Sequence, residues 1–245
     1  MKISISIVRY NHSKKDILNY INQLDFNVIS MLYIIDNSED DFFIDNQNII
    51  FVKTGHNLGY GRAHNIAMDL SFSKNTDIHI NSNIDLFFNE GFWLNYRKSL
   101  VENSRFVPRI LNEDSSVQEI HVIRPTLLET IKRLFFKSNN SKGDYFVKNK
   151  QANIKCFSGC FLPVERSFYI KNGGFNTIFW MYYEDLELSE RISDFSGNWL
   201  VRPGLEIIHI HAQDTFKNIK LFKVHLISGI KYYTMNFFNL INKYI

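Results

Sequence analysis

Four short apolar runs in the first 85 residues each stop on a cluster of polar side chains, and helical patterns fall between them. "ISISIV" closes on Arg9-Tyr10-Asn11, and "SMLYIID" on Asp36-Asn37-Ser38. "NIIFVKT" runs on to His56-Asn57, and "DIHINS" closes on Asn83-Ile84-Asp85. Short alternating or apolar runs bounded this way read as strands. Residues 13–24 carry Ile17, Leu18, Ile21 and Leu24 at helical spacing behind Ser13, a suitable N-cap. "GHNLGYGRAHNIAMDL" is a Gly-rich loop running into a second helix. Strand, helix, strand, strand, helix, strand with short connections predicts an α/β fold with a mainly parallel sheet flanked by helices. Such sheets bind ligands beyond the carboxyl ends of their strands, which is where the four polar clusters gather.

The 245 residues suffice for one large domain or two small ones. No repeat or low-complexity linker divides them, so residues 1–214 read as one domain and 215–245 as a helical C-terminal extension. A net charge of +3 is too small to argue for nucleic acid, and fits an anionic small ligand or an anionic membrane surface. Cys156 and Cys160 lack a second pair, so buried thiols are expected rather than a disulfide framework or a zinc site. "MKISISIVRYN" lacks a signal-peptide pattern, and no window of about 18 apolar residues suggests a spanning helix. The expectation is a cytoplasmic chain, at most peripheral on the inner face of a membrane. Between residues 101 and 155 the pattern is less regular, with "RPTLLETIKRLFFK" read as an amphipathic helix and "SNNSKGDYFVKNK" as a mobile polar loop. In the tail, Phe222, Leu226, Ile230, Tyr233, Phe237 and Ile241 form one stripe, with Lys220 and Lys231 opposite. That helix suits a membrane interface, its own domain or a second subunit, as in a homodimer.

Four constellations carry chemistry. In "FWMYYEDLELSERI" a helix starting near Glu184 puts Asp185, Leu188, Ile192 and Phe195 in one sector. Asp185 is then a carboxylate on an apolar side, whose desolvation would draw its pKa toward the range a general base needs. Glu184 and Glu187 turn toward solvent or Arg191. Read alone, these acids equally suit a helix N-terminus. Asp85, just past a buried strand, is one hard oxygen ligand for Mg²⁺ or Mn²⁺, or else a turn-former. "HNLGYGRAHN" opens a helix as phosphate loops do, yet matches neither the P-loop nor the dinucleotide pattern. His209 and His211 share one side of a strand, as metal or phosphate contacts or as ordinary surface imidazoles.

The segments "SIVRYN", "IIDNS", "NLGYGRAHNIA", "NSNIDLFF", "GCFLPVER", "GGFNTIFWMYYEDLELSERI" and "IIHIHAQDT" resemble, in chain order, the family-2 glycosyltransferases of GT-A fold. The resemblance is nearest to the rhamnosyltransferase-like group of bacterial O-antigen and capsule synthesis. It covers roughly residues 3–235. It implies an inverting, metal-dependent transfer from a UDP- or dTDP-sugar to a saccharide or lipid-linked acceptor. Arg9, Tyr10, Asn11, Asp36, Asn57, Gly61, Arg62, Asn65 and Asn83 would line the nucleotide-sugar, with Asp36 accepting from a pyrimidine N3–H. Asp185 would be the base, with Glu184 beside it. Gly159, Gly174, Phe175, Trp180 and Tyr182 would face the acceptor. Asp85, with His209 or His211, would hold the metal. The chain departs from the family at Asn83-Ile84-Asp85, which has one acid where two are usual and lacks a central Pro, so weaker metal affinity is expected. Glu187 stands where relatives commonly carry Asp. Two other readings compete: a non-catalytic sugar-nucleotide-binding or assembly subunit, and a nucleotidyltransferase, for which no basic triphosphate loop is present.

Overall fold

The computed structural model describes residues 1–102, 105–118, 126–128, 130, 153–197, 199–210 and 218–242. The predicted helix over 124–137 falls largely outside the described residues, and the predicted loop over 138–150 wholly so.

The four predicted strands are β1 (Ile3–Arg9), β2 (Ile29–Asp36), β3 (Ile49–Lys53) and β4 (Ile78–Ser82). The predicted helices are α1 (Lys14–Ile21), capped by Ser13 in a reciprocal box with Asp16, and α2 (Tyr60–Ser73). Next come β5 (Leu86–Phe88), α3 (Phe92–Glu102), β6 (Phe106–Leu111), β7 (Asn153–Ile154) and β8 (Phe161–Glu165). The described chain closes with α4 (Arg166–Asn172), α5 (Glu184–Ser196), β9 (Trp199–His209) and α6 (Ile219–Asn242).

The first sheet has the order β3-β2-β1-β4-β8, parallel throughout except for β8, which runs antiparallel to β4. A second sheet, β5-β9-β6 with β7 also on β9, is mixed. This is the predicted α/β class, with a second sheet added.

The "ISISI" alternation does not mark a solvated face. Ile3, Ile5 and Ile7 enter the main core with Ile17, Tyr20, Phe92, Trp93 and Tyr96 from α1 and α3. Ser4 and Ser6 point the other way, under α2, and are also fully buried. Their hydroxyls are satisfied by imidazoles. Ser4 Oγ lies 2.8 Å from His79 Nδ1 and 2.6 Å from Ser71 Oγ. Ser6 Oγ lies 2.8 Å from His79 Nε2 and 2.7 Å from His64 Nδ1. Burying a polar group costs free energy unless it is so paired. Burial keeps both rings neutral, with His79 pushed down to about 3 and His64 well below its ordinary value.

Candidate active site

The carboxyl ends of β1, β2 and β4 converge as predicted. Arg9 is only 3% exposed, and its guanidinium lies between two acids. Nη1 donates to Asp36 Oδ1 at 3.0 Å, while Nη1 and Nη2 donate to the two Asp40 oxygens at 2.6 Å each. Nε donates to the His12 carbonyl, and Phe42 lies under the guanidinium at 4.3 Å. Hydrogen bonding to Asp40 is the largest cause raising the Arg9 pKa, and the same contact lowers that of Asp40. Asp36 is 0% exposed, and its Oδ1 also accepts from the Ser38 N–H at 3.0 Å. In this arrangement Asp36 answers Arg9 and Ser38, so the base contact that the resemblance implies for its carboxylate is not open here.

Around this pair the loops are knitted together. Asn11, at φ 59°, donates its N–H to Ser38 Oγ at 2.8 Å. Asn37 Nδ2 donates to Asn57 Oδ1 and to the Gly59 carbonyl, and Asn57 Oδ1 accepts from the Gly59 N–H. Tyr10 stands at the rim, half exposed, with its ring available for stacking.

Three residues expected at the nucleotide-sugar instead bind α2 to the segment before α5. Asn65 donates Nδ2 to the Phe175 carbonyl and accepts the Phe175 N–H at Oδ1, both at 2.8 Å, which engages both ends of its amide. Arg62 donates to the Thr177 carbonyl at 2.9 Å. Gly61 lies against the Phe175 side chain. On the expected acceptor side, Phe175 is 3% exposed and packs in a core cluster rather than offering a platform. Gly174 is a close-approach position against Asn65 and Met68. Phe179 is buried too, Trp180 is 37% exposed, and the half-buried Tyr182 packs against the His225 ring.

Helix α5 begins in a strained turn. Tyr182 and Tyr183 both adopt positive φ, 70° and 67°, a conformation side chains rarely take. The turn is braced by α6, where Ser228 Oγ donates to the Met181 carbonyl at 2.8 Å. Gly229 lets the helix approach the Tyr183 ring, since a Cβ there would lie 3.1 Å from the phenol oxygen. The turn delivers two carboxyls into different environments. Asp185 is half buried, with Oδ2 accepting from the Gly159 N–H at 2.8 Å and Oδ1 from the Leu186 N–H at 2.9 Å.

Glu184 departs from expectation. It is 4% exposed rather than turned toward solvent, and its buried Oε2 has no hydrogen-bond partner. Desolvation, then the neighbouring Asp185 charge, push its pKa up to about 8. Glu184 is therefore held protonated at neutral pH. The reason is rotational: Glu184 faces Gly61 on α2, whereas Asp185 faces the Gly159 backbone. Glu187 pairs with Arg191 as expected, Nε donating to Oε1 at 2.7 Å.

The other half of the site centres on Asp85 and His209. Gln118 Nε2 donates to the His209 carbonyl at 2.8 Å, so its Oε1, 2.9 Å from Nδ1, receives the Nδ1–H. His209 Nε2 then faces Asp85 Oδ1 at 3.3 Å and Asn83 Nδ2 at 3.4 Å. Asp85 Oδ1 is itself buried without a hydrogen-bond donor. Two electron-rich atoms that close fit adjacent ligands of one cation with bonds of about 2.1 to 2.3 Å. Among the described residues no cluster of three His, Cys, Asp or Glu side chains forms, and His211 lies outside them.

The two halves meet at Gly159-Cys160. The Cys160 carbonyl accepts the Asn83 N–H at 3.0 Å, and the Gly159 carbonyl accepts from the Tyr60 hydroxyl at 2.6 Å. Burial raises the Tyr60 pKa well above its ordinary value, with smaller contributions from Cys160, Asp185, Glu184 and Asp85. The sequence reading assigned no role to Tyr60 or Gln118. Tyr60 lay inside the Gly-rich segment, but nothing marked Gln118. A Cβ on Gly159 would lie 2.8 Å from Asp185 Cβ, where neither backbone nor carboxylate root can yield. Gly159→Ala is accordingly expected to displace Asp185.

No family model and no curated protein matches the sequence. Solved structures do match. GalNAc-T7 with UDP, GalNAc and Mn²⁺ superposes with a TM-score of 0.62 at 15% identity, over 86% of this chain and 43% of that one. S. aureus TarS 1–349 with UDP-GlcNAc gives 0.61 at 13% identity, over 87% of this chain and 59% of that one. TarS 1–349 alone gives 0.59 at 14% identity, over 93% and 65%.

The fold is GT-A.

The chain thus spans about half to two thirds of these GT-A proteins.

Proposed function

We propose that the chain is an inverting glycosyltransferase that uses a nucleoside-diphosphate sugar. What carries the reading is one juxtaposition: the half-buried Asp185, aimed by the Gly159 N–H, linked through Gly159-Cys160 to the Asp85–His209 pair. The neighbours' complexes with UDP, UDP-GlcNAc and Mn²⁺ support that donor class. Asp185 takes the proton of an acceptor hydroxyl, whose oxygen attacks the anomeric carbon opposite the nucleoside diphosphate. Displacement from that side inverts the anomeric centre. Tyr10 stacks on the base at the rim, while Trp180 and Tyr182 offer ring faces to the acceptor sugar.

Mg²⁺ or Mn²⁺ held by Asp85 and His209 would neutralise charge growing on the leaving diphosphate. The donor to test first is dTDP-rhamnose, then UDP-sugars, with a saccharide or lipid-linked saccharide of bacterial surface-polysaccharide synthesis as acceptor. A thermal-shift panel of nucleotide sugars identifies the donor, because a ligand that binds the folded chain stabilises it by mass action. No shift with any of them overturns the reading.

EDTA is expected to abolish turnover and Mn²⁺ to restore it. Gln118→Ala, which frees the ring that Gln118 orients, should raise the Mn²⁺ needed for half-activity by about 10- to 100-fold. EDTA-insensitive transfer would remove the metal assignment. The second reading, a non-catalytic donor-binding subunit, draws on Asn83 standing where the resemblance places an acid. It predicts a donor thermal shift with neither transfer nor donor hydrolysis in Mn²⁺.

A further inference from the structure

Helix α6 packs on the rest of the chain with the side opposite to its apolar stripe. Its inner face is Ser228, Gly229 and Tyr232, all buried against the Met181–Tyr183 turn and α5. Leu226, Ile230 and Phe237, which the sequence reading grouped as one stripe, point outward at 43%, 60% and 63% exposure. Ile219 continues the same line, since positions 219, 226, 230 and 237 recur seven, four and seven residues apart. Ile227 and Phe238 widen the stripe on one side and are exposed as well. A second exposed apolar pair, Leu127-Leu128, adjoins the helix, because Tyr233 donates to the Thr126 carbonyl and meets the Thr130 hydroxyl. So large an apolar face on one element is more than scattered surface residues require.

The charge on the helix decides what the face meets. Lys220 and Lys223 are exposed along it, and no Asp or Glu occurs between residues 218 and 242. A second copy docking through the same face would bring lysines and no counter-charge from its own helix. An anionic lipid surface supplies both halves: acyl chains for the apolar stripe and phosphates for the lysines. No described helix is long and apolar enough to cross a membrane, which agrees with a helix lying in the interface.

We propose that α6 is an interfacial docking helix for an anionic membrane, with Ile219, Leu226, Ile230 and Phe237 entering the lipid and Lys220 and Lys223 at the headgroups. The proposal goes beyond the transfer reading and does not depend on it, since vesicle binding is measured without donor or acceptor. Its consequence for the site is direct, because the buried side of the same helix braces the turn that sets Glu184 and Asp185.

The test is flotation of the full chain with phosphatidylcholine vesicles containing 30% phosphatidylglycerol by design, roughly the anionic content at which such helices bind. The intact chain should float with these vesicles and far less with pure phosphatidylcholine. Ile230→Asp/Phe237→Asp, placed at exposed positions so that the fold survives, should reduce the floated fraction at least about tenfold at an unchanged Tm. Lys220→Glu/Lys223→Glu should abolish the preference for phosphatidylglycerol. Equal flotation of the intact chain and the Ile230/Phe237 variant overturns the proposal, as does failure of the intact chain to float. A concentration-dependent dimer in light scattering that the Ile230/Phe237 variant dissolves would give the face to a second copy and equally overturn it.

Discussion

Asp185→Asn is expected to lower transfer by about 10²- to 10⁴-fold while donor affinity stays within a factor of about two. The substitution keeps the shape of the side chain and one acceptor oxygen for the Gly159 N–H, and gives up only the acceptor that faces the Leu186 N–H. What it removes is the capacity to take a proton. Neither Glu184 nor Tyr60 compensates: Glu184 is buried and protonated at neutral pH, and burial raises the Tyr60 pKa well above its ordinary value. Initial rates at saturating donor, paired with a donor thermal-shift titration, separate loss of chemistry from loss of binding. Unchanged turnover in this variant would remove Asp185 from the reaction and the mechanism with it.

Glu184→Gln should do the opposite, leaving activity near its starting level at pH 7 and raising stability at alkaline pH. The folded-state pKa of Glu184 is raised to about 8, so between its ordinary carboxylate value and that point the folded chain binds a proton the unfolded chain has lost. Folding stability therefore falls as pH rises through that interval, and levels off above about 8 once the buried carboxyl has ionised. Gln supplies a neutral side chain of the same size at every pH. The variant should match the parent near pH 5 and exceed it by up to roughly 4 kcal/mol near pH 9. For a chain of this size that corresponds to a Tm difference of roughly 10 °C at the alkaline end. Thermal melts across the pH range check the prediction, and parallel curves would show that Glu184 is not the buried acid described. A pH–rate profile gives a second view: above about 8 the parent gains a second charge beside Asp185, and the variant does not.

The local order of the first sheet was readable because each strand carries both of its signals, an apolar or alternating run and a polar stop, within a few residues. The capping box at Ser13 and Asp16 was equally local. The second sheet was not readable, because β9 pairs with β5, β6 and β7, segments far apart in the chain, and pairing of that kind leaves no periodic mark. At the site, Asp85 and His209 face each other, and Asp185 at the start of α5 accepts the Gly159 N–H. Asn65, Arg62, Gly174 and Phe175 hold α2 to the turn before α5, a packing duty that motif matching cannot tell from ligand contact. The buried acid with the raised pKa is Glu184, whose side chain faces Gly61 on α2, a contact between distant segments that spacing along one helix cannot show. The tail stripe divides in the structure: Leu226, Ile230 and Phe237 face outward, while Tyr233 turns to Thr126 and Thr130. Small and aromatic side chains on the far side turned out to make the closer contact.

The imidazole and hydroxyl ladder beneath α2 bears on how this chain can change over time. Each rung answers two others: Ser6 serves both His64 and His79, and Ser4 serves both His79 and Ser71. Losing one member strands its partners in a dry interior, so drift at any single position is penalised even though none of these side chains meets a substrate. Descendants should therefore keep the whole set or exchange it together for hydrocarbon. Reading these positions as a block would date a branch more reliably than the site loops, whose residues answer to the ligand.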